Sequence, residues 1–152
     1  MKATSIDIAS KIMFFMGVYL FVVSLLWIFL TETMFISDVL AYTGQSWADL
    51  LANSPKTAEL YIITKKLIGF FLLLLSILIL FITNNSYKKG EKWAWYSLLV
   101  TGIFIWGGLL GYRFLIGYWA STGIITFVLG AVLFIIAIVI PAKAIIGKFQ
   151  ED

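Results

Sequence analysis

The side chains with most chemistry to offer in this chain are its few charges. Their densest group lies in "NNSYKKGEKWAWYSLL", Asn84 to Leu99, where Lys88, Lys89, Lys92 and a glutamate run into Trp93, Trp95 and an apolar stretch. Three lysines so close together could cradle a phosphate, lie along a nucleic acid, or mark the edge of a membrane. A phosphate loop needs a second glycine ahead of a Gly-Lys-Ser/Thr element, and "YKKGEKWA" has one glycine and no such hydroxyl. A nucleic-acid partner needs a continuous basic face, whereas the 11 lysines and arginines here are dispersed and the net charge is only +3. The membrane edge explains the stretch best. Its lysines resist translocation, make generic headgroup contacts and fix topology, while Trp93, Trp95 and Tyr96 settle in the interfacial aromatic belt.

The chain has no histidine and no cysteine. This removes imidazole and thiolate ligands, disulfides and the commonest general base near neutral pH, so no catalytic residue, metal site or cofactor is expected and the protein reads as a non-enzyme. Ionisable groups at membrane depth would be the remaining sign of chemistry. The nearest approach is Arg113, which falls 20 residues after Trp93 and therefore at the outer boundary of a roughly 30 Å hydrocarbon layer. It either forms an outer ion pair with Glu32 or Glu59, or extends alone toward water. Lys65 and Lys66 are expected to snorkel at the same boundary.

The elements that must position these groups are membrane spans. With 62% hydrophobic and 12% charged residues, the composition lies far from the soluble range, where about a quarter of residues are charged. The expected fold is an all-α integral membrane protein, a single domain of four transmembrane helices in an antiparallel bundle. Spans are placed at about 12–30, 62–83, 93–112 and 121–141, the last ended by Pro141, with a cytoplasmic loop at 84–92 and an outer segment at 31–61. The first apolar run is too long for a signal-peptide core and lacks a small-x-small cleavage site, so it is read as a retained anchor. Placing both termini inside puts seven basic residues (Lys2, Lys11, Lys88, Lys89, Lys92, Lys143, Lys148) against four (Lys56, Lys65, Lys66, Arg113) outside, which predicts a plasma-membrane protein with cytoplasmic ends.

The outer segment has its own signals. Ser37 precedes a helical turn closed by Gly44, Ser46 and Asp49 form a capping box, and Ser54 with Pro55 starts the second spanning helix. Trp47, Leu50 and Leu51 share a face, so a short amphipathic helix is expected there, either as a lid over the helix ends or as a ligand or partner platform. Within the spans, small residues recur at seven-residue intervals: Gly17 and Ser24, Gly69 and Ser76, Thr101 and Gly108, Gly123 and Gly130. This spacing predicts a bundle-facing seam, with the hydroxyls bonding from helix to helix. Gly107 and Gly111 form a GxxxG pair that suits close approach by a helix of this chain or of another.

Beyond the lipid bilayer itself, the expected partner is a membrane protein or a second copy, which makes an accessory subunit or scaffold the leading functional expectation. The alternative is a binder or carrier of a hydrophobic small molecule, a lipid or quinone, held between the helices. An intramembrane enzyme or transporter is disfavoured by the lack of a midplane charge.

Overall fold

The computed structural model describes residues 2–117 and 121–147, with side chains at 4–117 and 127–147. Among the described residues there is no strand. The helices are α1 (Lys2–Phe29), α2 (Thr31–Thr43), α3 (Trp47–Asn53), α4 (Pro55–Asn85), α5 (Lys92–Ile116) and α6 (Ser121–Ile146), with a 3-10 turn at Tyr87–Lys89. Four of them, α1, α4, α5 and α6, are long and apolar enough to cross a membrane. They run antiparallel in sequence, so the short α2 and α3 cap one end of the bundle, the lid end, and the Tyr87–Lys89 turn lies at the other, the loop end.

Local chemistry sets most boundaries as the sequence predicts. Gly44 closes α2 at φ 71°, where its N–H donates to the Leu40 carbonyl. The capping box at Ser46 and Asp49 is present at the start of α3. Pro55 opens α4, but the Ser54 side chain makes no capping bond; its carbonyl instead accepts from Thr57 and Ala58. The break between α1 and α2 uses neither glycine nor proline. Leu30 leaves the helical region (φ −116°, ψ 34°), and the buried Thr31 hydroxyl donates to the Trp27 and Ile28 carbonyls beside the break.

Pro141 does not end the fourth span. Helix α6 continues through it to Ile146. A proline lacks the N–H that would serve the carbonyl four residues earlier, that of Ala137. The hydroxyl of Tyr87, fully buried in the turn after α4, donates to this carbonyl instead, and Trp95 Nε1 donates to the next one, Ile138 O, at 2.9 Å. Trp95 is therefore a buried packing residue and not a headgroup contact. Trp93 and Tyr96 are the exposed rings of this stretch, and Lys88 and Lys89 face outward.

Helix α1 is the spine of the bundle. It packs along α4 and α6, and α5 leans on α6, whereas α4 and α5 barely touch. Small residues permit the close contacts. A Cβ on Gly17 would lie 2.7 Å from Leu80, and one on Gly69 would lie 2.9 Å from Ile28. Gly130 accepts the ring of Trp106, and Gly102 accepts the ring of Phe134. Helix α5 departs from the expected seam. Its buried positions are Ala94, Trp95, Leu98, Gly102, Ile105 and Trp106, so Thr101 is only half-buried and Gly108 faces open space. Gly123 lies outside the residues whose side chains are described. Ser24 and Ser76 are fully buried, but their hydroxyls bond carbonyls of their own helices, Phe21 O and Leu73 O, rather than a neighbouring helix. A serine that can return to the carbonyl three residues back needs no partner across the interface.

Candidate functional site at the lid end

Helix α2 presents Thr31, Phe35, Asp38 and Val39 inward, a spacing that places all four on one helical face. Asp38 is thus carried into the protein, with 1% of its surface exposed. The last turns of α5 bring Tyr112 and Arg113 to it: Tyr112 Oη donates to Asp38 Oδ2 at 2.7 Å and Arg113 Nη1 donates to Asp38 Oδ1 at 2.9 Å. From α4, Lys65 Nζ donates to the Tyr112 hydroxyl. Because the Tyr112 hydrogen is committed to Asp38, its oxygen is the acceptor, and the chain from Lys65 through Tyr112 to Asp38 has a single direction.

Three aromatic faces surround the lysine. Its Nζ lies 4.6 Å from the Phe35 ring centroid, 5.1 Å from Tyr61 and 3.8 Å from Tyr112, within cation–π range of each. Phe35 is held in turn by Trp27, edge to face at 4.7 Å, and Tyr61 packs beside Trp47 of α3. The short amphipathic helix packs over this end of the bundle: Val39, Trp47 and Ala58 form a small satellite core, with Leu50 packed against it.

This arrangement corrects two expectations. Arg113 pairs with Asp38, not with Glu32 or Glu59, both of which are exposed. Glu32 follows the inward Thr31 and Glu59 follows the inward Ala58, so each is turned about 100° away from the buried face of its helix. Lys65 does not snorkel; it is 6% exposed, while its neighbour Lys66 reaches outward. The same turn of a single residue separates the two lysines. Asp38, Tyr112 and Lys65 were the functional candidates that sequence reasoning missed. The signal for Asp38 was its place on the Thr31–Phe35–Val39 face, and the signal for Lys65 was its heptad relation to Ala58 and Leu72.

The gap between α4 and α5 gives the cluster its setting. A crevice of about 310 Å3 runs between Ile68, Phe71, Leu75 on α4 and Phe104, Gly108, Leu109 on α5, with Trp27 behind and Lys65 and Tyr112 at its end. A second cleft, of about 470 Å3, lies under the lid between Tyr42, Leu50, Tyr61 and Ile116 and reaches the same Lys65 and Tyr112, together with Asp38. The lysine–tyrosine pair is thus the wall shared by an apolar crevice and a lid cleft. By contrast, the groove of about 390 Å3 between α1 and α6, at Phe15, Tyr19 and Leu133, has no charged residue among the described residues of its lining.

No protein-family model, no curated protein and no solved structure matches the chain.

The cluster is a partly buried, hydrogen-bonded group of two cations and one carboxylate. Both oxygens of Asp38 are engaged by Tyr112 and Arg113, and among the described residues no group of three carboxylates, histidines or cysteines stands together to hold a metal ion. Gly107 and Gly111 stand apart from this site: a Cβ at either would meet nothing within 4 Å.

Proposed function

We propose that the protein is a non-enzymatic binder of a membrane-resident amphiphile, held in the α4–α5 crevice beneath the lid. The observation that carries this reading is the crevice itself, apolar along its length and ending on the buried Lys65 and the half-buried Tyr112 to which it donates. Ligand pockets have this composition, a largely apolar wall with a few convergent polar groups that fix orientation. The reading also accounts for Lys65, because a buried cation in a bilayer is expensive and persists where it is used. We further propose residence in the plasma membrane with both ends cytoplasmic, a topology supported by the seven-to-four distribution of basic residues named above.

Native mass spectrometry of protein extracted gently with its surrounding lipid tests this. A monomer carrying one discrete amphiphile is expected, and Gly108→Leu, which projects a side chain into the crevice, is expected to lose it. An accessory-subunit or scaffold role is the second reading, favoured by the open space at Gly107 and Gly111, where a partner helix could approach closely. A second polypeptide or a ligand-free oligomer in the same spectrum, dispersed by Gly107→Leu with Gly111→Leu, would favour that role over ligand binding.

A further inference from the structure

The lid-end cluster holds two cations and one carboxylate. The ion pair engages Arg113 with Asp38, and Lys65 is left with a neutral hydroxyl and three ring faces. An ammonium group has three donors, and one is used on Tyr112, so two remain for an incoming acceptor. We propose, resting on the amphiphile reading above, that Lys65 is a headgroup site and that the ligand is a single-chain carboxylate of the fatty-acid class. Its carboxylate binds Lys65 Nζ and its hydrocarbon chain lies between α4 and α5.

Three observations select this class. A monoanion brings the buried cluster from one net positive charge to none, which removes the penalty of an uncompensated charge in an apolar setting. The rings of Phe35, Tyr61 and Tyr112 stand 4.6, 5.1 and 3.8 Å from Nζ, a close aromatic surround that suits a compact planar head. The crevice that continues from this point, at about 310 Å3, stands at the small end of ligand pockets and accommodates one chain rather than two. Lys65 and Tyr112 also line the lid cleft, so a head seated on Lys65 lies where the two cavities meet.

The test uses the full chain in nanodiscs of uncharged phosphatidylcholine and reads quenching of tryptophan by dibrominated stearate, by the matching dibrominated alcohol and by a dibrominated lysophosphatidylglycerol. Trp27 lines the crevice, so the saturable quenching is expected to vanish in Trp27→Phe. The acid is expected to saturate the wild-type protein at about one-tenth the concentration the alcohol requires. Lys65→Met is expected to bring the acid to the level of the alcohol, while Lys65→Arg keeps the preference. Equal binding of acid and alcohol by the wild type would overturn the headgroup assignment and leave the amphiphile reading standing. Tighter binding of the lysophospholipid would replace the carboxylate with a phosphodiester. Absence of saturable quenching by all three probes would remove the amphiphile reading together with the assignment. These wild-type comparisons hold even if a Lys65 variant fails to fold.

Discussion

The two ends of this bundle solve the same problem, a polar group drawn into an apolar interior, in opposite ways. At the loop end the polar groups are neutral: the Ala137 carbonyl left without a partner by Pro141 and the Ile138 carbonyl beside it are met by the Tyr87 hydroxyl and the Trp95 indole. All four residues are buried, α1 and α6 pack around them, and Tyr87 has no exposed surface. At the lid end the groups are charged, the chain Lys65–Tyr112–Asp38–Arg113 retains one positive charge, and cavities approach it from two sides. The difference teaches where function should be sought. A neutral donor meeting a neutral carbonyl completes the backbone, whereas a charge kept beside a cavity is the feature on which the proposed binding role rests.

The comparison can be broken most forcefully at Asp38. Asp38→Asn leaves Arg113 without its counter-charge in a site where it is mostly buried, and a loss of roughly 3–5 kcal/mol is expected. Thermal unfolding in mild detergent, followed by tryptophan fluorescence, would show it; an unchanged midpoint would mean that the ion pair is not a structural element. At the loop end, Tyr87→Phe removes a neutral donor and is expected to cost about 1–3 kcal/mol. Pro141→Ala sharpens this, since alanine restores an N–H for the Ala137 carbonyl. The cost of Tyr87→Phe should shrink in that background, a coupling of about 0.5–3 kcal/mol. Additive effects would show that the hydroxyl is not standing in for the missing proline donor. The smallest effect is expected at neither end: Gly107→Leu enters open space and should alter monomer stability by no more than about 0.5 kcal/mol.

How much of this was legible in the sequence differs between the two regions. Run length and turn chemistry announced the spans, the capping box and the glycine that ends α2, because each is decided by neighbouring residues. The loop-end anchor was hidden because it joins positions 87 and 137, and Pro141 reads as a stop unless the Ala137 carbonyl it leaves unserved finds a donor fifty positions away in the chain. The lid-end site was hidden for a subtler reason. Lys65 and Lys66 are equivalent to composition and differ only in which side of the helix faces the bundle. The predicted seam in α5 failed in the same way, since Gly102 rather than Thr101 or Gly108 meets α6. In a membrane helix apolar on nearly all sides, hydrophobic periodicity carries little information about the facing side, and small or charged residues mark it only when their partner is known.

The central claim is that the α4–α5 crevice, and not another groove of this apolar surface, holds the ligand. The most direct measurement is photo-crosslinking with a fatty acid carrying a diazirine along its chain, followed by peptide mapping of the labelled protein. The account predicts labelling concentrated on Phe71, Leu75, Phe104 and Leu109, competed by unlabelled oleate. Labelling spread evenly over the lipid-facing side chains, or gathered in the α1–α6 groove at Phe15 and Leu133, would contradict it.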